Sequence, residues 1–211
     1  MNKPFQKIYF DPYLFFSIFL LSTLGLFFLF SASNSDISIV SKQFVFIVAG
    51  FLIMILVSQP DPDIFRRTSG LFLFFSLLLL GITYLVGPEI NGAQRWVRIG
   101  AFSFQSSELL KLAVPIFLAN FLFNKKLPIQ RKEIIISLLV ICCCFFFVFR
   151  QPDLGTALII ACSGLFVLFL SGLSWTFIGG SFVLLIISSP FIWNILLQPF
   201  QRQRIATFFN P

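Results

Sequence analysis

The 211 residues carry 15 Lys and Arg against 8 Asp and Glu, a net charge of +7, and 58% of them are hydrophobic while only 11% are charged. With 32 Phe and a mean hydropathy of +0.97, the chain has too few polar side chains to coat a water-soluble domain. The absence of any His excludes Ser-His-Asp and Cys-His catalysis and most transition-metal sites. The positive balance fits a membrane protein meeting anionic lipid, and nothing in its patterning points to nucleic acid.

Apolar runs at 13–30, 44–57, 71–86, 109–123, 134–149, 157–170 and 177–197 predict an all-α, polytopic transmembrane bundle of about seven helices, a single integral membrane domain over 1–211. Crossing the hydrocarbon takes roughly 20 helical residues, so the shorter runs must borrow polar flanks or be shielded by neighbours. The first run follows Lys3 and Lys7 and precedes Ser31, Ala32 and Ser33, as a signal peptide would. Its apolar stretch exceeds the roughly 7 to 15 residues of a signal core, and an uncleaved first helix is expected. Cys142, Cys143, Cys144 and Cys162 lack Cys-x-x-Cys spacing and read as buried, inert thiols. Gly155, Ala157, Ala161 and Gly164 form a small-residue face on which helices can approach closely.

The segment 87–107 is an outer loop too long for a mere link, given typical helix connections of about 2 to 8 residues, and is expected to fold back over the helix ends. Gly92 and Gly100 allow tight turns, Trp96 offers an amphipathic plane, and Arg95 and Arg98 offer cationic forks. Ser106 or Ser107 can cap the fourth helix, with Glu108 in its first turn. Lys111, three residues on, can pair with Glu108, and both are expected to point into the bundle, because charge in hydrocarbon costs about 2.5 to 3.5 kcal/mol on insertion scales. In the string at 150–156, Pro152 ends one helix, and Asp153 can cap the next or accept Lys111 from across the bundle. A third polar string, carrying Arg202 and Arg204, follows the seventh helix at about 198–211.

Orientation follows from the basic residues. Plain clusters, Asn124-Lys125-Lys126 and Arg131-Lys132, mark the cytoplasmic loops and put the N-terminus inside. The outer arginines sit in Gly-, Gln- and aromatic-rich strings and call for an anionic partner, a lipid headgroup or a phosphorylated lipid substrate.

Four ordered strings carry a resemblance: Gly-Ala-Gln-Arg-Trp at 92–96, Phe-Gln-Ser-Ser-Glu-Leu-Leu-Lys-Leu-Ala at 104–113, Gln-Pro-Asp-Leu-Gly-Thr-Ala at 151–157 and Gln-Arg-Gln-Arg-Ile-Ala-Thr-Phe-Phe-Asn-Pro at 201–211. Together they resemble the SEDS family of bacterial cell-wall proteins, and Gln94 with the Gln-Arg-Gln-Arg string favours its rod-shape branch over its division branch. The resemblance implies a peptidoglycan glycosyltransferase that polymerises lipid II during cell elongation, in the bacterial cytoplasmic membrane, with a class B penicillin-binding protein as partner. It implies a supporting polar cavity of Glu108, Lys111 and Asp153, and substrate contacts from Gln94, Arg95, Trp96, Arg98, Arg202 and Arg204. No cofactor is identified. A divalent cation is compatible with a pyrophosphate, although the 8 acids offer no evident ligand set. Ser106 stands where the family usually has Pro. The family has ten helices and an essential Asp in the outer loop after the seventh, so the resemblance predicts that 1–211 lacks the general base and the last three helices. The rival readings are a flippase for the lipid-linked precursor, expected to show inverted repeats and broken helices, and a non-catalytic scaffold that binds the penicillin-binding protein.

Overall fold

The computed structural model describes residues 11–88, 94–99, 102–191, 193–194, 202–203 and 206–207. Among them lie seven α-helices and one β-hairpin: α1 (Pro12–Ala32), α2 (Ile37–Ser58), α3 (Pro62–Val86), β1 (Trp96–Ile99), β2 (Phe102–Gln105), α4 (Ser107–Leu122), α5 (Arg131–Arg150), α6 (Leu154–Leu170) and α7 (Trp175–Phe191). The expected helical membrane fold is borne out. Among the described residues α1, α2, α3 and α5 are long and apolar enough to cross a membrane, while α4, α6 and α7 have 16 or 17 residues.

The chain divides into two compact units, Met1–Ile64 and Phe65–Pro211. In the first, α1 and α2 form a hairpin. Asp11 caps α1 by accepting from the Tyr13 and Leu14 amides at 2.9 and 3.2 Å, and Asp36 caps α2 by accepting from Ser38 at 2.8 Å. Between them Asn34 and Ser35 adopt φ of 53° and 66°, the left-handed turn that lets the chain double back. Phe15 meets Phe51 edge-on at 5.2 Å. Neither helix buries a residue, as expected of segments apolar all round their circumference.

The second unit holds the core. Its helices bury single seams at helical spacing: Ser69, Leu73, Ser76, Leu80 and Thr83 on α3; Leu110, Val114 and Leu118 on α4; Ser137, Ile141, Cys144 and Val148 on α5; Ala157, Ile160, Gly164 and Leu168 on α6. Two hydroxyls in the α3 seam return to their own helix, Ser76 to the Phe72 carbonyl and Thr83 to the Leu79 carbonyl, both at 2.7 Å, whereas Ser69 Oγ and, on α5, Ser137 Oγ are buried without a partner among the described residues. At Gly164 the approach is tightest: a Cβ there would lie 2.6 Å from Ile141 Cγ1 and 3.3 Å from Leu118 Cδ1. The small-residue face on α6 is thus real at Ala157 and Gly164, but not at Gly155, where an added Cβ meets nothing within 4 Å. Of the cysteines only Cys144 is buried; Cys142, Cys143 and Cys162 are exposed free thiols, contrary to expectation, because the seams of α5 and α6 turn other positions inward.

Candidate functional site

The segment between α3 and α4 does fold back, as a two-stranded antiparallel hairpin that apolar periodicity gave no means to foresee. Trp96 stands opposite Gln105, Val97 opposite Phe104 and Arg98 opposite Ser103. Alternation along the strands puts Trp96, Arg98, Ser103 and Gln105 on one face, with Val97 and Phe104 on the other. The base of the hairpin comes down onto the end of α3 at Gly87, where a Cβ would sit 2.3 Å from the Thr83 carbonyl and 3.2 Å from that of Trp96. A glycine is needed at that approach.

Asp153 ties this hairpin to the bundle. Its Oδ1 accepts from the Thr156 amide at 3.3 Å, capping α6, and lies 3.9 Å from Nη1 of Arg95 just ahead of β1. Its Oδ2 accepts from Nε2 of Gln105 at the end of β2, which also donates to Ser107 Oγ at 2.9 Å. One carboxylate therefore joins a helix N-terminus, a cation and both ends of the hairpin. Its side chain is 11% exposed and that of Arg95 17%, so the pair lies where solvent screens it weakly. Among the described residues the Arg95 Nε–H is buried without an acceptor, and its guanidinium meets Asp153 only at the outer limit of an ion pair. A fork of five N–H donors held this loosely retains capacity for an anion.

Lys111 pairs with Glu108, Nζ to Oε2 at 2.7 Å, and the ion-pair partner of Asp153 is Arg95. The expectation that Glu108 and Lys111 point into the bundle needs correction. The Glu108 side chain is 46% exposed and that of Lys111 26%, because the inward seam of α4 belongs to Ser107, Leu110, Val114 and Leu118. The pair lies on the flank of the helix. Nor does either serine cap α4. Ser106 occupies the N-cap position with helical φ and ψ, its hydroxyl buried and without a partner among the described residues, while Ser107 spends its oxygen on Gln105.

Of the remaining candidates, Gln94 is half-buried beside Arg95, Trp96 is half-buried, and Arg98 is exposed on the hairpin. Arg202 donates from Nη2 to the Asn194 carbonyl at 2.9 Å, a contact local to the chain after α7. Arg204 lies outside the described residues, as do Gly92 and Gly100. Sequence reasoning passed over two glutamines. Gln105 bridges the hairpin to Asp153, and Gln151, 2% exposed, donates from Nε2 to the Leu80 carbonyl at 3.1 Å, locking α5 to α3. Both stand inside the quoted strings, and an amide flanking an apolar helix was the available signal, since a buried one needs partners. Among the described residues no three His, Cys, Asp or Glu side chains gather as a metal site.

Residues 12–211 match the family described as cell cycle protein, which takes in FtsW, RodA and SpoVE. The chain is 35% identical over 206 residues to the peptidoglycan glycosyltransferase MrdB of Escherichia coli K12, covering 98% of this chain and 56% of that one. It is 31% identical over 207 residues to stage V sporulation protein E of Bacillus subtilis, covering 91% and 55%. It superimposes on a chain of a peptidoglycan synthase complex that coordinates polymerisation and crosslinking with a TM-score of 0.82, at 29% identity, over 97% of this chain and 60% of that one. The crystal structure of the rod shape determining protein RodA of Thermus thermophilus gives 0.76 at 29% identity, over 86% and 60%. The chain spans about half the length of the curated relatives it matches. Four ordered strings, a helical membrane fold and a match from residue 12 onward agree: the chain is a multi-pass membrane protein and belongs to the FtsW/RodA/SpoVE family of cell cycle proteins.

Proposed function

We propose that the intact protein is a peptidoglycan glycosyltransferase of cell elongation, which polymerises lipid II, a disaccharide-pentapeptide on undecaprenyl pyrophosphate, in partnership with a class B penicillin-binding protein. The observation that carries this reading is the Arg95 fork, held loosely by Asp153 at the base of a cationic hairpin, in a chain 35% identical to a peptidoglycan glycosyltransferase. The reaction departs with a pyrophosphate, and preorganised donors aimed at developing charge are the usual means of accelerating such a step. Arg95 supplies donors directly, Arg98 adds positive potential, Trp96 and Gln94 flank the sugar, Arg202 and Arg204 contribute from the chain after α7, and the Glu108–Lys111 pair and Asp153 support the site from the helix ends. Apolar helix faces hold the polyprenyl chain. Glu108 is engaged by Lys111, and Asp153 by Arg95, Gln105 and the Thr156 amide. Both carboxylates are thus committed to structural ion pairs, and this reading assigns the general base to neither. The N-terminus is cytoplasmic, the membrane is the bacterial inner membrane, and the hairpin lies at its outer face.

The test is polymerisation of purified lipid II by the intact protein with its class B penicillin-binding protein. Replacing one preorganised donor typically costs about 10²- to 10³-fold in rate, and Arg95→Gln is expected to fall in that range while the protein stays folded. Unchanged glycan synthesis by that variant would remove Arg95 from the mechanism.

A further inference from the structure

Gln105 closes β2 directly across from Trp96, the residue that follows Arg95. That register brings an amide and a guanidinium to one carboxylate, whose two oxygens then face three donors. Oδ1 of Asp153 serves the Thr156 amide at 3.3 Å and faces Arg95 Nη1 at 3.9 Å, while Oδ2 accepts from Gln105 Nε2. The nitrogen end of the Gln105 amide has to point there, since an ionised carboxylate only accepts. The same nitrogen donates to Ser107 Oγ at 2.9 Å, so both of its hydrogens are in use.

What this arrangement withholds from Arg95 matters most. Arg and carboxylate favour a bidentate pair, two parallel N–H bonds to two open oxygens. Here Gln105 occupies the second oxygen and the α6 cap competes for the first. Arg95 is left 3.9 Å from Oδ1, its buried Nε–H without an acceptor among the described residues. With an apolar side chain at position 105, Oδ2 would be open and the guanidinium could close on Asp153 with both arms of its fork. The other charges near this end of the hairpin do not contend for the carboxylate. Glu108 and Lys111, in the first turn of α4, are paired with each other at 2.7 Å, and Arg98 is exposed on β1, opposite Ser103.

We propose that Gln105 is a positioning residue: by holding Oδ2 of Asp153 it lets that carboxylate place Arg95 without capturing it, and so keeps the Arg95 fork open to a pyrophosphate. What the fork receives rests on the glycosyltransferase reading above; how it is kept open rests on the contacts alone. Gln105 touches no reacting atom and acts through Asp153.

Gln105→Glu keeps the shape of the side chain and exchanges its donor for a second carboxylate. Ionised, the introduced group repels Asp153 and draws Arg95 to itself; protonated, it donates to Oδ2 as the amide did. Two carboxyls this close share one proton, so the introduced group holds its proton to a pH above the roughly 4.3 of a free Glu. The experiment measures glycan synthesis from lipid II by the intact protein with its class B penicillin-binding protein, at about pH 8 and about pH 5, each variant taken relative to wild type at the same pH. Gln105→Glu is expected to lose about tenfold at the higher pH, the worth of one charge-assisted hydrogen bond, and to recover most of that at the lower. Ser107→Ala removes the other bond of the same nitrogen and is expected to keep most of the rate at both. Melting temperatures are read alongside. Because the introduced group binds its proton more tightly when folded, its stability relative to wild type is expected to be highest at about pH 5 and to fall as the pH rises to about 8. A rate ratio for Gln105→Glu that is the same at both pH values, or a loss in Ser107→Ala as large as in Gln105→Glu, would overturn the positioning role. If the wild type makes no polymer, the glycosyltransferase reading fails by itself and the melting comparison decides: a pH-dependent deficit upholds the grip of Gln105 on Asp153, and a pH-independent one overturns it.

Discussion

Asp153 does several things at once, and single substitutions separate them. As the N-cap of α6 it satisfies the Thr156 amide, and as an anion it faces Arg95. Asn caps about as well as Asp, whereas Ala loses roughly 1 kcal/mol at such a position. Asp153→Asn is therefore expected to unfold at a higher temperature than Asp153→Ala, by an amount corresponding to about 1 kcal/mol. Both variants leave Arg95 without its counter-ion, and both are expected to lose glycan synthesis. Equal melting temperatures would mean that the ion pair, and not the cap, is what Asp153 contributes to stability. The sequence showed that this position could cap a helix. Its bonds to Arg95 and Gln105 come from residues 58 and 48 positions away, and nothing local to the chain predicts such a distance.

Among the elements, α6 shows why small residues in one stripe differ in consequence. Gly164 sits beneath Ile141 of α5 and Leu118 of α4, with space for no Cβ. Gly155 has open space around it, near the start of the helix. Gly164→Val forces side chains off their rotamers and is expected to destabilise the bundle by about 1 to 3 kcal/mol, the usual range for overpacking. Gly155→Ala adds helix propensity and is expected to be neutral or to stabilise by up to about 1 kcal/mol. Thermal unfolding in detergent compares the two directly; a Gly164→Val protein as stable as wild type would show that α4, α5 and α6 are not held at the described separation. The stripe itself was legible. Which of its members touches a neighbour depends on helix rotation, which the spacing of glycines and alanines leaves undetermined.

At the scale of the molecule, orientation rests on the clusters Lys125-Lys126 and Arg131-Lys132 in one short connection. With the native cysteines replaced, a cysteine introduced at Asn34, in the turn between α1 and α2, is expected to react with a membrane-impermeant thiol reagent in intact cells. One at Asn124, after α4, is expected to react only once the membrane is opened. The reverse pattern would invert the proposed topology and put the hairpin in the cytoplasm, out of reach of an outer-leaflet substrate.

The sequence by itself determined the class of the protein, the seven helices seen among the described residues and the family, because hydrocarbon demands long apolar helices and because four polar strings interrupt them in a fixed order. Helix starts were legible to within a few residues for most elements, although α2 begins at Ile37 and α3 at Pro62, seven and nine residues ahead of their apolar runs. Caps and polar residues extend a helix beyond its greasy core. Only the tertiary structure decided that 96–105 is a hairpin, that Glu108 and Lys111 lie on a flank, and that Asp153 answers to Arg95 and Gln105. The reason is range. Hydrophobic periodicity is written in neighbours three and four residues apart, whereas an ion pair, a hydrogen-bonded amide or the rotation of a helix is settled by residues that meet only after the whole bundle has packed.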